Sequence, residues 1–241
     1  IRLMVHANEF EIEGLLATAS GTPGELKEKR TRPDLIHEIV TAYGQVQPQL
    51  VQHAPGFPPA AELLARIKSG NPNRGRDVVG DAHDTEGSRW IVACGDQPDR
   101  RPLNIVIWGG QTDLAQALWR VRHERGAAGL QQFQARLRIY DIGDQDGIFA
   151  WMWHEFPGMF YVLGQAPPGQ DKRLGVYRGM YLTGDESLTS RAWIDEHVRQ
   201  NHGPLGALYP PKTWTAPNPH SALKEGDTPS WFFFLDRKSV V

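Results

Sequence analysis

The stretch Leu103-Asn104-Ile105-Val106-Ile107-Trp108-Gly109-Gly110-Gln111-Thr112-Asp113-Leu114-Ala115-Gln116-Ala117-Leu118-Trp119 changes its hydrophobic spacing halfway along. The β-branched run up to Ile107 reads as a buried strand, whereas Leu114, Ala117, Leu118 and Val121 recur at the spacing of one helix face. Two glycines and the polar trio Gln111, Thr112 and Asp113 separate them, which predicts a strand, a tight turn and a capped helix. In open α/β sheets ligands bind beyond the carboxyl ends of strands, so this turn is a natural site edge.

The same grammar recurs on both sides. Residues 137–142 read as a strand that ends in Gly143-Asp144-Gln145-Asp146-Gly147, which places Asp144, Gln145 and Asp146 on the same rim of the sheet. Helices are expected over 130–137 and 149–156, and a strand over 159–163. Upstream, residues 1–7 fit the last turns of a helix, 10–18 a strand entering a covered sheet, and 32–43 a helix opened by Pro33. Residues 49–53 are expected to form a short strand, 54–59 a rigid turn, 60–67 a short helix and 68–77 an exposed loop. Gly80-Asp81-Ala82-His83-Asp84-Thr85-Glu86-Gly87-Ser88 then gathers four ligand or acid/base side chains ahead of a helix over 89–94. A site loop and a solvated loop that caps the helix explain it equally well. Downstream, 164–185 is irregular and 190–198 helical, with His197 a structural residue. The proline-rich and aromatic segment 201–231 reads as a long functional loop or lid.

With 241 residues and 40% hydrophobic content the chain can bury a full core, and a single domain over 1–241 is expected. Its 26 basic and 28 acidic side chains leave a formal charge of −2, which excludes the broad positive field that gathers nucleic acid or an anionic membrane. No stretch reads as a signal peptide or a membrane span. Cys94 is the only cysteine, so no intrachain disulfide forms and the redox compartment stays open. The chain begins at Ile1, inside what reads as a helix, and is expected to lack its natural start.

Several motifs taken together resemble a family of bacterial proteins with a nucleoside-hydrolase-like domain, often described as cellulose-binding. They are Asn8-Glu9-Phe10-Glu11-Ile12-Glu13-Gly14-Leu15, Arg32-Pro33-Asp34-Leu35-Ile36, His53-Ala54-Pro55-Gly56-Phe57-Pro58, Asp84-Thr85-Glu86-Gly87-Ser88, Trp108-Gly109-Gly110, Asp144-Gln145-Asp146, Gly203-Pro204-Leu205-Gly206 and Glu225-Gly226-Asp227-Thr228-Pro229-Ser230. A more distant likeness, to the inosine-uridine nucleoside hydrolases, rests on Gly110-Gln111-Thr112-Asp113-Leu114-Ala115, which is similar to their glycine turn and Thr-Asn-Leu-Ala helix. The resemblance implies a Rossmann-like α/β fold with a mainly parallel sheet and helices on both faces. It also implies a carbohydrate or nucleoside ligand and a periplasmic or extracellular location, with a homo-oligomer left open. It implies calcium, held by the main-chain carbonyl of Thr112 and the carboxylate of Asp227, since calcium takes several hard oxygens. Asp113 stands where the hydrolases carry asparagine and adds a charge beside the sugar contacts. The family's first strand, whose aspartates supply most of the metal shell and the base, would precede Ile1 and is expected to be missing. The ending at 235–241 is likewise expected to be a truncation, ahead of an accessory β-domain.

Two functions follow. In the first, the chain hydrolyses a glycosidic or N-glycosidic bond. Asp144 and Asp146 are then the catalytic carboxylates, and Asp113, Gln145, Glu225, Trp108 and Trp151 contact the sugar. Each of the acidic and amide residues alone is equally well explained as a cap or turn residue, and packing is the commoner use of any single tryptophan. In the second, the chain binds carbohydrate without turnover, through a row of exposed tryptophans at Trp151, Trp153, Trp214 and Trp231. A non-catalytic interaction domain that keeps only the fold is a third and weaker reading.

Overall fold

The computed structural model of the chain describes residues 1–19, 29–169, 186–210 and 225–236. The expectations for residues 170–185 and 211–224, Trp214 among them, lie outside them. The chain divides into two compact units, one made of Ile1–Ile12, Asp34–Arg66 and Ala166–Pro229, the other of Glu13–Pro33, Ile67–Gln165 and Ser230–Val241.

The second unit carries the sheets, and among the described residues every strand pair is parallel. Strands β1 (Leu15–Ala17) and β2 (Ile67–Ser69) form one pair. Strands β3 (Leu103–Ile107), β4 (Leu137–Asp141) and β5 (Phe160–Leu163) form a three-stranded sheet in that order, in a register that sets Ile107 opposite Asp141 and Asp141 opposite Leu163. Parallel neighbours need a crossover. Helix α5 (Thr112–Gln134) joins β3 to β4, and α6 (Phe149–Glu155) joins β4 to β5. The apolar stripe expected on α5 is buried: Leu114, Ala117, Leu118 and Val121 pack with Ile107, Leu137 and Ile139 of the strands, Met152 of α6 and Ile91 of α4 (Glu86–Gly95). The two helices expected over 114–121 and 130–137 run on as one element broken at Gly126, whose φ of 68° and ψ of −171° are not helical. The strand expected over 10–18 shrinks to β1. The reason lies in its backbone acceptors: Glu13 accepts from the Trp90 indole at 2.8 Å, so that carbonyl serves a side chain and not a ladder.

The first unit is helical. Helix α1 (Arg2–Val5) leads in, and α2 (Pro33–His53) runs ten residues past the expected end at Tyr43. The short strand expected over 49–53 is therefore helix. Pro48 sits inside α2 where it reads as a stop, because an interior proline costs about 3 kcal/mol. Tertiary contacts offset that cost. Tyr43 is fully buried and donates its hydroxyl to the Pro58 carbonyl at 2.7 Å, Gln47 donates to Phe57, and a Cβ at Gly44 would press on Ala60 at the start of α3 (Ala60–Ala65). The helix expected over 60–67 stops at Ala65, because Ile67 to Ser69 pair as β2.

Later in the chain, α7 (Arg191–Ile194) is capped by the Ser190 hydroxyl and continues as a wider turn over Asp195–Arg199. Ile194 and Tyr209 form a small buried cluster with Ile1, Trp193 and Val198 beside it. His197 is exposed, and its ring lies 4.8 Å from that of Trp193. Where one long loop was expected over 201–231, two helices form: α8 (Gly203–Ala207) and α9 (Thr228–Asp236). Pro204 and Pro229 fall in first turns, where a missing N–H costs nothing. No helix among the described residues is long and apolar enough to cross a membrane.

A Cβ at Gly126 would meet nothing within 4 Å, so Gly126→Ala isolates the backbone cost of the α5 break. That conformation is close to glycine-only, and we expect a loss of about 1–3 kcal/mol in chemical denaturation. A neutral result would show that the break relaxes into continuous helix.

Candidate functional site

At the carboxyl end of the three-stranded sheet, two turns leave neighbouring strands and are tied to each other. The first runs from Ile107 through Trp108, Gly109 and Gly110 into α5, and the second follows Asp141. Gly143 and Asp144 adopt positive φ, 88° and 49°, in that second turn. Asp146 then reaches across to the start of α5. Its Oδ2 accepts from the Thr112 amide at 3.0 Å and the Thr112 hydroxyl at 2.5 Å. The cap expected from the local residues of α5 thus comes from the other turn. The N-terminal end of a helix favours such a carboxylate. Only glycine fits beneath it, because a Cβ at Gly110 would overlap the Asp146 carboxyl group.

Gln111, 1% exposed, is the hub between the turns. Its side-chain amide donates to Asp144 Oδ1 at 2.6 Å and Asp141 Oδ2 at 3.2 Å, while its oxygen accepts from the Asp146 amide at 3.3 Å. Gln145 makes the reciprocal tie, donating to the Trp108 carbonyl at 2.7 Å and the Ile142 carbonyl at 3.2 Å. Asp144 Oδ1 also accepts from the Phe149 amide at the start of α6.

Asp113 closes the third side. It is 2% exposed and accepts from the Asn71 amide at 3.1 Å and the Thr85 hydroxyl at 2.6 Å. Thr85 in turn is the N-cap of α4, in a reciprocal capping box with Ser88. Gly70, after β2, has room for no Cβ beside Asp113. The Thr112 hydroxyl also accepts from Gly75, and Gln116 of α5 binds both backbone groups of Gly80 and the Asp84 carboxylate, which pairs with Arg120. Of the two readings of the 80–88 stretch, Thr85 serves the capping one, whereas the Asp84 carboxylate is taken up by Gln116 and Arg120 of α5.

The residue missed in the sequence is Asp141. It closes β4 with no exposed surface, and its Oδ2 accepts from the Tyr161 hydroxyl of β5 at 2.7 Å. Burial pushes its carboxyl up to about 7, with the charges of Asp144 and Asp146 adding to the push and the Tyr161 hydrogen bond opposing it. Burial likewise raises Asp113 and Asp146, against the hydrogen bonds from Thr85 and Thr112 respectively. Burial and the neighbouring Asp141 keep the Tyr161 hydroxyl protonated. Among the described residues two buried oxygens, Asp141 Oδ1 and Asp146 Oδ1, have no hydrogen-bond partner. An acidic residue inside the apolar run Leu137-Arg138-Ile139-Tyr140-Asp141-Ile142 was the available signal, since a carboxyl in a covered strand needs a reason.

The structure thus brings Thr112, Asp113, Asp144, Gln145, Asp146 and Trp108 together within the second unit, and the Trp108 indole donates to Ser230 at 2.7 Å. Trp151 lies in the same unit on α6, half-buried, edge-on to Phe156 and under the Arg76 guanidinium at 5.8 Å. Glu225 and Asp227 belong to the first unit. There Glu225 is buried and holds Arg2 at 2.5 Å and the Thr228 hydroxyl at 2.9 Å, while Asp227 is exposed in the turn before α9. In the proposed tryptophan row, Trp153 is 49% exposed, but Trp231 is 4% exposed and cannot be a sugar platform: it packs on Phe232 at the start of α9. Among the described residues no group of three or more His, Cys, Asp or Glu side chains is placed to hold a metal ion.

A carboxyl raised on folding keeps its proton in the folded chain after the unfolded chain has lost it. Its stabilising contribution is complete below the ordinary value of 3.8 and is lost as pH rises through about 7. We expect Asp141→Asn to flatten the fall in urea midpoint between about pH 4 and about pH 7, leaving the shallower slope that Asp113 and Asp146 add in the same direction. An unchanged slope would show that Asp141 is ionised in the folded chain. Gly110→Ala should displace the Asp146 carboxylate and cost about 2 kcal/mol in the same measurement.

The sequence of the chain matches, over residues 1–238, the family described as cellulose-binding Sde182, nucleoside hydrolase-like domain. Among solved structures it is similar to a nucleoside hydrolase-related hypothetical protein from Saccharophagus degradans that is associated with carbohydrate metabolism. The identity is 32% and the TM-score 0.75, over 95% of this chain and 49% of that one, so the chain spans about half the length of that protein. No curated protein matches it. With parallel strands, crossover helices and a polar rim at the carboxyl ends of the strands, the chain belongs to the cellulose-binding, nucleoside-hydrolase-like family.

Proposed function

We propose that this chain hydrolyses a glycosidic or N-glycosidic bond of a sugar-containing substrate, with the rim around Asp141, Asp144 and Asp146 as its active site. The observation that carries the reading is the pair of buried carboxyl oxygens, Asp141 Oδ1 and Asp146 Oδ1, that have no hydrogen-bond partner among the described residues. Leaving such groups unsatisfied costs on the order of 1–3 kcal/mol each. Sugar hydroxyls are donors of the right kind to recover that cost.

Hydrolysis breaks the bond from the anomeric carbon to the leaving oxygen or nitrogen and joins a water oxygen to that carbon. One water proton goes to a carboxylate, and the leaving group takes a proton from an acid. Asp144 and Asp146 serve as the base and as the carboxylate facing the positive charge that develops on the sugar ring. Asp141, raised to about 7, holds a proton near neutral pH and keeps the cluster from carrying full charge. Asp113, whose carboxyl is wholly occupied by Asn71 and Thr85, supports the loops. Gln145, which spends its amide hydrogens on Trp108 and Ile142, keeps its oxygen for a hydroxyl. Among the described residues no three carboxylates gather as calcium's hard-oxygen shell would need.

One observation favours the second reading, carbohydrate binding without turnover. Trp153 is 49% exposed with the Phe149 ring 5.9 Å from it, an aromatic face of the kind that stacks on sugar rings. A single set of assays separates the two. The chain is incubated with nucleosides, p-nitrophenyl glycosides and soluble β-glucans, with and without calcium, beside Asp146→Asn and Trp153→Ala. Turnover that falls by about a hundredfold or more in Asp146→Asn supports hydrolysis. Retention on insoluble cellulose that is lost in Trp153→Ala, with no turnover of any substrate, would replace it with the binding reading.

A further inference from the structure

The opposite end of the three-stranded sheet has an opposite chemistry. Where β3 and β4 begin, at Leu103 and Leu137, an open cavity of about 380 Å³ is lined by Arg100, Arg101, Arg136 and Arg138, with Asp99 and Pro102 between them. Four guanidinium groups face one carboxylate, in a chain whose net charge is −2, so this is a local concentration of positive charge and not a share of a basic surface.

The cavity is held by its own hydrogen bonds. Asp99 takes the side chain of Arg101 at 3.0 and 2.5 Å and its amide at 2.8 Å, and these bonds hold the Asp99 carboxyl down at about 2. Arg136 donates to the Asp99 carbonyl at 2.6 Å, and its own carbonyl accepts from the Leu103 amide at 2.8 Å, which fixes the wall to the first residue of β3. Arg138 lies with its guanidinium carbon 5.9 Å from the centre of the Phe160 ring, a contact that needs none of its N–H donors. Arg100 is exposed. Among the described residues neither Arg100 nor Arg138 forms an ion pair.

From this arrangement we infer a second binding site, for the phosphoryl or pyrophosphoryl group of a small ligand, at the amino-terminal edge of the sheet and formed by Arg100, Arg136 and Arg138. Arginine presents a planar fork of donors that matches phosphate oxygens two at a time. With Asp99 committed to Arg101, three guanidinium charges have no ion-pair partner of their own among the described residues. A single carboxylate balances one of them, whereas a multivalent phosphate balances two or more. The volume, about 380 Å³, falls at the lower end of the range of small-molecule pockets and suits a group of this size.

The test is calorimetric titration of the full chain at low salt with inorganic pyrophosphate and inorganic phosphate, and with glucuronate as the monovalent carboxylate. The titrations are repeated on Arg100→Ala and on the Arg100→Ala/Arg138→Ala double variant. One pyrophosphate is expected to bind per chain, at least about tenfold more tightly than glucuronate. Its affinity should fall about tenfold or more in the double variant and less in the single one, and weaken with added salt. Absence of saturation at about 10 mM pyrophosphate, equal affinity for glucuronate, or unchanged affinity in the double variant would each overturn the site. Arg100→Ala alone decides the matter if the double variant fails to fold, because Arg100 is exposed and lies outside the core cluster. No turnover is measured, so the outcome does not depend on whether the carboxyl-end rim is catalytic.

Discussion

The contact on which the second unit depends is the one Asp146 makes with Thr112. A carboxylate from the turn after β4 takes the first amide and the first hydroxyl of α5, the helix that begins after β3. The orphan donors at the helix start are satisfied, and the two turns cannot move independently. The sequence must meet a condition for this to happen. Residue 110 has to be glycine, because any side chain would occupy the space the carboxylate fills. Gln111 and Gln145 add ties in opposite directions, so each turn holds the other through a side-chain amide.

Closing the turns in this way brings carboxyl groups into one buried region. Asp141, Asp144 and Asp146 act on one another, and burial lifts both Asp141 and Asp146. Tyr161 and Gln111 both donate to the same oxygen of Asp141, which leaves the other oxygen as the place for a proton or for a donor from outside. A site used only to support the fold would be expected to satisfy both oxygens, since burying polar groups without partners opposes folding.

What the sequence revealed, and what it hid, divides along a physical line. The change of period between Ile107 and Leu114 identified β3 and α5, because both elements are buried along a face and their patterns report burial directly. The Asp144-Gln145-Asp146 turn was legible for the same reason, as polar residues released at the end of a buried strand. Asp141 was not, since its position within β4 disguised it as one more strand residue. Residues 49–53 were misread because Pro48 breaks helices locally, whereas α2 is held by Tyr43 and Gln47 on the following turn. Trp231 was misread because composition alone does not distinguish a tryptophan that stacks on a ligand from one that packs in a core. The ties made by Asp113 to Asn71 and Thr85 span 42 and 28 residues, beyond the reach of any periodicity.

The opposed chemistry of the two ends of the sheet has a backbone origin. In a parallel sheet each crossover helix starts near the carboxyl end of one strand and finishes near the amino end of the next. The starts of α5 and α6 therefore present partial positive charge where β3 and β4 finish, and the last turn of α5 presents partial negative charge just ahead of β4. Asp146 and Asp144 take up the first position, accepting from Thr112 and Phe149 at the two helix starts. Arg136 and Arg138 follow the end of α5 at the other. Each such placement is worth about 0.3–1 kcal/mol at an exposed end and more where it is partly buried. That is too little to determine the fold, but enough to bias which charges the turns at each end tolerate. The polarity of the peptide chain makes the carboxyl rim a place where acids can be concentrated and the amino rim a place where guanidinium groups can, before any ligand enters.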